Sequence, residues 1–329
     1  LSDADKAKLR AGASAAGTDA TFKWRYPYDK TVFPRGLPAP TLQFGGGAAK
    51  GTYVKVTCNN VSYEGFYPGW SAATGAANAP RVKVSEDWWA MVTRSAGPGD
   101  KVEVLVRKIS DGGVVSEAGK ETWTIAQGNL KGSILYNSYN SKLAGNTGAV
   151  LQLKPGNALK VFASAGKKPG TNDNQGCVVC HSVSANGQRV VAGVGWADDP
   201  ANNDGNPIYS GSWTVNSSGV GTQQTGLATA TQNEGRALPF GGLTPDGKWL
   251  VGQGNPLAKT TDGNGWSPVR GIRGQFASKL YNAENGNIVA SPFVDGAAKY
   301  FLTPALAPDG NTLAYTLYEN SRARTIAIA

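Results

Sequence analysis

The residues best suited to chemistry in this 329-residue sequence lie between positions 176 and 182. The run Gly176-Cys177-Val178-Val179-Cys180-His181-Ser182 contains two of the three cysteines and the only histidine. The order Cys-x-x-Cys-His is the attachment pattern of a c-type haem. Two thiols at this spacing can form thioethers with the vinyl groups along one porphyrin edge, and the following imidazole can ligate the iron. The motif therefore predicts one covalent haem c, held by Cys177 and Cys180, with His181 as the proximal iron ligand.

Two simpler interpretations of the same residues compete with haem attachment. A redox Cys-x-x-Cys pair usually opens a helix, whereas the residues after this motif indicate a turn and then a strand. A structural zinc site needs four ligands, and the chain offers no second histidine and only one further cysteine, Cys58. A haem-free protein with a Cys177–Cys180 disulfide stays open as an alternative.

The sixth iron ligand would decide what such a haem does. His/His ligation within the chain is impossible because His181 is the only histidine. Met91 is the only methionine and a candidate distal ligand, and His/Met ligation suits electron transfer. A methionine beside Trp88 and Trp89 is, however, more often a core residue. An open iron site would instead favour peroxidase or oxidase chemistry. Aromatic residues near the motif in sequence could cover the haem or pack inside a sheet: Trp196, Trp213 and Tyr209.

Signals for other cofactors and reactions are sparse. The segment Asp198-Asp199-Pro200-Ala201-Asn202-Asn203-Asp204-Gly205 offers oxygen ligands for Ca²⁺, but it lacks the EF-hand order, and a solvated turn explains it as well. No Gly-x-Ser-x-Gly elbow or phosphate-binding loop is found. If the one histidine is committed to iron, a Ser-His-Asp triad is excluded.

Charge and hydropathy limit the kinds of partner. The net charge is +9, with 32 Lys+Arg against 23 Asp+Glu, and the basic residues are dispersed rather than clustered. Dispersed charge argues against nucleic-acid binding and is compatible with attraction to acidic redox partners. The sequence has no apolar run long enough to span a bilayer. Its first residue is Leu1 rather than Met, from which we expect a processed or trimmed start.

The first part of the chain predicts a β-sandwich. A length of 329 residues favours two domains, and 44 glycines favour an all-β protein rich in turns. Residues 1–20 form a linker or a short helix capped by Ser2. Residues 21–127 alternate as short strands, which suggests an immunoglobulin-like sandwich with a Pro-broken edge strand. Trp88 and Trp89 are expected in a strand, one facing in and one facing out, and Cys58 as a buried thiol.

The remainder, residues 128–329, predicts β-propeller blades. Residues 132–162 indicate one small sheet. Three later segments then align, each with a polar turn that feeds an apolar strand: residues 182–192, 243–251 and 306–315, with turn glycines at 187, 247 and 310. The haem motif precedes the first turn and is expected in a loop. Their spacing near 60 residues implies long inter-strand loops at 197–206 and 261–266. Because propellers close with four to eight blades, we expect an incomplete propeller whose remaining blades lie on another chain or were lost.

The Ser/Thr-Pro-Asp-Gly-Lys signature followed by an apolar strand resembles the TolB-type, WD-like β-propeller repeat. The whole layout, with Cys-Val-Val-Cys-His entering a blade, resembles a group of secreted bacterial propeller proteins. The resemblance implies an extracytoplasmic protein, either periplasmic, associated with the outer membrane or secreted. The resulting hypothesis is a monohaem cytochrome-like protein that transfers electrons to an unknown redox partner. A haem-free binding propeller and an open-site haem peroxidase or oxidase are the alternatives.

Overall fold

The structure is a computed structural model of the full chain. It describes residues 1–71, 80–165, 176–196, 209–233, 238, 240–252, 278–295, 301–319 and 322–328. These residues form two compact units. Unit 1 comprises Leu1–Gly132 with Lys154–Asn157, and unit 2 comprises Ser133–Leu153 with Ala158–Ala329.

Unit 1 contains two sheets and two helices. The helices are α1 (Asp3–Ala11) and α2 (Glu86–Ser95). The strands are β1 (Trp24–Tyr26), β2 (Val32–Arg35), β3 (Thr41–Phe44), β4 (Ala49–Cys58), β5 (Val61–Trp70), β6 (Arg81–Lys83), β7 (Lys101–Ile109) and β8 (Val115–Asn129). One sheet has the order β2-β8-β7-β4-β5 and the other β1-β3-β6. As the prolines of this region predicted, β2 is an edge strand, and it pairs in parallel with β8.

Both sheets and α2 contribute to a single aromatic core. Alternate residues of β7 are buried, as expected of a strand with one face on a core. Trp123 from β8, Phe44 from β3 and Trp89 from α2 are each at most 1% exposed. This arrangement is a sandwich of two sheets. Its assignment to the immunoglobulin-like class stays a prediction.

The predicted N-terminal helix is present. The Ser2 hydroxyl accepts a hydrogen bond from the Asp5 amide at 3.2 Å, and the Asp5 carboxylate accepts one from the Ser2 amide at 3.0 Å. This reciprocal pair is a capping box. Leu9 is fully buried in a small cluster with Tyr53 and Ile109, so α1 packs against unit 1.

The expectation that Trp88 and Trp89 occupy a strand is wrong, because both lie in α2. Ser85 caps this helix through the Trp88 amide, and Glu86 lies in its acidic first turn. Adjacent residues on a helix project about 100° apart, so a helix pressed onto a core can bury both. Both indoles are at most 3% exposed.

Unit 2 contains three sheets in chain order, together with helices α3 (Thr225–Asn233) and α4 (Pro292–Asp295). The strands of its first sheet are β9 (Ile134–Ser141), β10 (Thr147–Leu153), β11 (Lys160–Ser164), β12 (Gly176–Val183), β13 (Arg189–Trp196), β14 (Tyr209–Val215) and β15 (Gly221–Gln224). The second sheet contains β16 (Gly242–Leu243), β17 (Trp249–Val251), β18 (Leu280–Asn282) and β19 (Ile288–Val289). The third contains β20 (Phe301–Leu306), β21 (Leu313–Glu319) and β22 (Arg322–Ile328). The predicted small sheet at 132–162 corresponds to β9, β10 and β11.

The three predicted repeats each form the first hairpin of an antiparallel meander, namely β12–β15, β16–β19 and β20–β22. We call these blades 1, 2 and 3. The turn glycines Gly187, Gly247 and Gly310 have φ of 70°, 73° and 77°. A φ in this region favours glycine, which has no Cβ to clash. In each turn the side chain at the Asn or Asp position accepts from the amide two residues later, at 3.0 Å in all three.

Adjacent residues of β13, and of β17, pack into buried clusters with different sheets. On β13, Val190 lies in a buried cluster with Val150 of β10, whereas Val191 lies in a cluster with Leu250 of blade 2. On β17, Val251 belongs to a further cluster with Leu313 of blade 3. Side chains alternate across a strand, so these adjacent valines and leucines occupy both faces of a blade. Unit 2 is therefore a succession of face-packed meanders, which is propeller topology, and the chain is all-β apart from its short helices.

No helix among the described residues is both long and apolar enough to cross a membrane.

Candidate cysteine and histidine site on blade 1

The Cys-x-x-Cys-His motif lies inside strand β12, so its predicted position in a loop is wrong. The β-branched pair Val178-Val179 favours a strand, and the turn at 184–189 lets the segment pair with β13. Cys177 lies opposite Gly195 on β13 and opposite Gly148 on β10, which runs parallel to it.

The Cys177 thiol packs against the backbone of Gly148. A Cβ at position 148 would lie 2.1 Å from Cys177 Sγ, closer than any real contact. The missing side chain at this glycine is therefore what makes room for the sulfur. Burial raises the pKa of the Cys177 thiol, and a backbone hydrogen bond with Gly148 opposes this only in part. Cys177 is accordingly a protonated, half-buried thiol at neutral pH.

Cys180 occupies a bulge in the strand. Pairing between β12 and β13 shifts register between Val179 and Ser182, and Cys180 has φ 57°. Left-handed backbone is uncommon for residues other than glycine and costs roughly 1–3 kcal/mol. Its carbonyl accepts a hydrogen bond from the Phe240 amide at 3.1 Å, which ties the bulge to the approach to blade 2. Bulges re-aim side chains, and this one breaks the regular alternation just before His181.

The same backbone conformation recurs in the other two blades. Phe240 and Thr303 have φ of 56° and 46°, and each lies four residues before its repeat turn, as Cys180 does. The bulge at Cys180 is therefore a feature of the blade and not of the motif. What distinguishes blade 1 is the chemistry placed on it, because His181 stands where the other blades have Gly241 and Pro304. The sequence analysis did not predict the bulge at Cys180, because its positive-φ residue is not a glycine.

The His181 side chain contacts strand β9. Its Nδ1 hydrogen-bonds with Asn137 Oδ1. Burial lowers the pKa of His181, and a backbone hydrogen bond with Leu135 offsets this in part. The imidazole is therefore neutral at neutral pH, the form that can ligate a metal ion. No sequence signal pointed to Asn137, which lies 44 positions away.

The two motif cysteines do not form a disulfide in this conformation. All three cysteines are thiols.

The other predicted site residues lie on different elements. Met91 lies on α2 of unit 1, with half of its surface exposed. Cys58 is half-buried at the edge of the unit 1 core. Trp213 is buried and Tyr209 partly buried, both in the cluster with Val178, so both pack within the sheets. The Trp196 side chain and the Ca²⁺ candidate at 198–205 lie outside the described residues.

The donor set fits a c-type haem in its chemistry. It supplies two unoxidised thiols and one neutral imidazole from a single strand. Among the described residues no three His, Cys, Asp or Glu side chains converge on one point as metal ligands. Haem c does not require such convergence, because the thiols bond the porphyrin and only the imidazole binds the iron. To bond a porphyrin, Cys177 Sγ would have to leave its contact with Gly148.

Comparisons with known proteins give no close relative. No protein-family profile and no curated protein matches the chain. Among solved structures, an oligogalacturonate lyase in complex with manganese aligns at TM-score 0.33 and 11% identity over 69% of this chain. An oligogalacturonate lyase from Vibrio parahaemolyticus aligns at TM-score 0.31 and 10% identity over 94%. A bacterial ice-binding adhesin aligns at TM-score 0.20 and 12% identity over 91% of each chain. The chain spans 53% and 66% of the two lyases.

Proposed function

We propose that the chain is an extracytoplasmic, monohaem c-type cytochrome-like protein that transfers electrons on a β-propeller scaffold. Cys177 and Cys180 would hold the haem through thioethers, and His181 would bind its iron. The bound haem would supply a one-electron redox centre. The observation that carries the proposal is that β12 presents both thiols unoxidised beside a neutral imidazole.

The residues of this chain would have separate tasks at the site. Cys177 and Cys180 fix the group in place, and the bulge at Cys180 sets the direction of His181. The neutral His181 supplies a lone pair without first losing a proton. The net charge of +9 would attract an acidic redox partner, whose identity is open.

Intact mass of the chain made in cells that mature c-type cytochromes tests the proposal. We expect a covalent gain of one haem, lost in the Cys177→Ala, Cys180→Ala double variant and retained in Cys58→Ala. A colourless wild-type protein with no added mass would contradict it. If that protein also contained a Cys177–Cys180 disulfide, the alternative of a haem-free binding propeller would be favoured.

A second measurement separates electron transfer from open-site chemistry. Carbon monoxide binding to the reduced protein would report an accessible iron and favour the peroxidase or oxidase alternative. We expect slow or absent binding.

Met91→Leu tests the remaining candidate for the distal position. Loss of a His/Met spectrum would identify Met91 as the ligand, and an unchanged spectrum would exclude Met91 as the ligand.

A further inference from the structure

Asn137 is the side chain that fixes the chemical form of His181. The Nδ1 atom of His181 faces the side-chain oxygen of Asn137. An amide oxygen accepts hydrogen bonds and cannot donate them, so Nδ1 must carry the proton. In a neutral imidazole the other nitrogen then has a free lone pair. The ring also has a backbone hydrogen bond with Leu135. The Asn137 contact at Nδ1 favours the tautomer in which Nε2 can bind a metal ion.

We infer that Asn137 is the positioning residue of this site, holding His181 in the Nδ1–H tautomer with Nε2 available as the iron ligand. The second half of this inference rests on the proposed haem function. This kind of hydrogen bond is common: a metal-ligating histidine usually donates its other N–H to an oxygen acceptor, which fixes the ring and increases its basicity.

The acceptor itself is held in place by the sheet. Asn137 lies within β9, opposite Val150 of β10, and Val150 is fully buried. Pairing between β9 and β10 continues to Leu153 opposite Ile134. A residue inside a paired strand has less freedom than one in a loop, so Asn137 can orient a partner on another strand.

The tautomer can be measured with or without haem, because His181 is the only histidine. Protein labelled with ¹⁵N-histidine gives a single imidazole spin system in a long-range ¹H–¹⁵N spectrum. In haem-free protein we expect the Nδ1–H form. Asn137→Leu, which has a similar shape and no acceptor, should shift the population toward Nε2–H, and Asn137→Asp should retain Nδ1–H. A wild-type protein in the Nε2–H form would overturn the inference.

The haem-loaded protein gives a second readout. A stronger acceptor on Nδ1–H makes the ligand more basic and favours ferric iron, so Asn137→Asp should lower the reduction potential. Asn137→Leu removes the acceptor and should raise it. Asn311→Asp, which adds the same charge on an exposed residue in the turn of blade 3, is the control and should change the potential little. A merely structural asparagine would not shift the potential in opposite directions in the two variants, and equal shifts or none would overturn the inference.

The two proposals fail in different ways. If the intact mass shows no haem, the proposed function fails, while the haem-free spectrum still decides whether Asn137 sets the tautomer. If haem is present and the two Asn137 variants leave both the tautomer and the potential unchanged, the function stands and the role of Asn137 fails. Far-UV circular dichroism of each variant checks that the fold is retained.

Discussion

The position of the Cys177 thiol depends on the absence of a side chain at residue 148. We expect Gly148→Ala to destabilise the protein by about 2 kcal/mol, because the added methyl would lie 2.1 Å from Cys177 Sγ and overpack the sheet. Urea denaturation measures this effect.

Gly128→Ala is the matched control for this substitution. Gly128 also lies in a strand, β8, and a Cβ there meets no atom within 4 Å. We expect its free energy of unfolding to change by less than about 0.5 kcal/mol. Equal stability of the two variants would show that the Cys177 sulfur does not need the space at Gly148.

A second residue-scale prediction concerns the ion pair between Asp19 and Lys108. Lys108 Nζ lies 2.5 Å from Asp19 Oδ2, and its side chain is only 4% exposed. Asp19→Asn would leave a buried cation without its counter-ion, and we expect a loss of about 3 kcal/mol at pH 7. Urea denaturation of wild type and variant measures it. Asp3→Asn, which removes an exposed pair with Lys6, should cost under about 0.5 kcal/mol.

The Asp19 pair also predicts a pH dependence. The hydrogen bond from Lys108 is the largest of the interactions that hold the pKa of Asp19 well below its usual range. A depressed pKa in the folded state gives stability that is present above the unfolded pKa, about 3.9, and is lost as the pH falls below it. The difference between wild type and Asp19→Asn should therefore shrink below about pH 4. A difference that grew on acidification would contradict this assignment.

At the residue scale the sequence singled out candidate donors but not their surroundings. Cys177, Cys180 and His181 were identified from spacing alone, because their chemistry depends on local order. Gly148 and Asn137 could not be found in this way. Both meet the motif only through the pairing of β10 with β12 and the approach of β9, which are contacts distant in sequence.

At the scale of elements, two repeat turns allow the stability cost of left-handed backbone to be measured apart from the cost of packing between blades. Gly187 and Gly247 have nearly equal positive φ, but a Cβ at 187 meets nothing within 4 Å, whereas one at 247 lies 2.6 Å from Arg189 Cβ. We expect Gly187→Ala to cost about 1 kcal/mol, from left-handed strain alone. Gly247→Ala should cost about 1–2 kcal/mol more, because blade 1 obstructs the methyl group. Urea midpoints of the two variants measure the difference.

Equal losses in the two glycine variants would mean that the turns of blades 1 and 2 do not pack as described. Thr244→Ala is a further control. The Thr244 hydroxyl accepts from the Trp249 amide at 3.0 Å, but the equivalent residue of blade 3 is Ala307. Because the third turn forms without this bond, its removal should cost no more than about 1 kcal/mol.

Elements with local signatures were predictable, and those without them were not. The three turns were identified because Asn or Asp followed by Gly satisfies a left-handed turn. Helix α2 was misassigned because the tryptophans suggested a strand, although Ser85 and two acidic residues form a helix start. The positive-φ positions before each turn, Cys180, Phe240 and Thr303, are not glycines, so no local signal predicts them.

At the scale of the whole molecule, each unit has its own buried clusters. The aromatic core of unit 1 is built from residues between Phe22 and Ile125, and the packed faces of unit 2 from residues between Val150 and Tyr315. The chain length and the aligned repeats of the second part already indicated two regions. The sequence could not show that residues 154–157 belong to unit 1, because this depends on packing. Pro155, for example, lies so close to Gly36 that a Cβ added at Gly36 would be 3.3 Å from Pro155 Cβ.

We expect residues 1–132 to fold on their own, because the unit 1 core is complete within them. Trp89 and Trp123 lie in this core and are at most 1% exposed, so a folded fragment should give a structured near-ultraviolet circular dichroism signal. Urea should then unfold it in one cooperative transition. A fragment of residues 1–111 is the control, since it lacks β8, the strand that lies between β2 and β7 and carries Trp123. If the longer fragment shows no cooperative transition, or the shorter one folds equally well, the division of the chain at Gly132 is wrong.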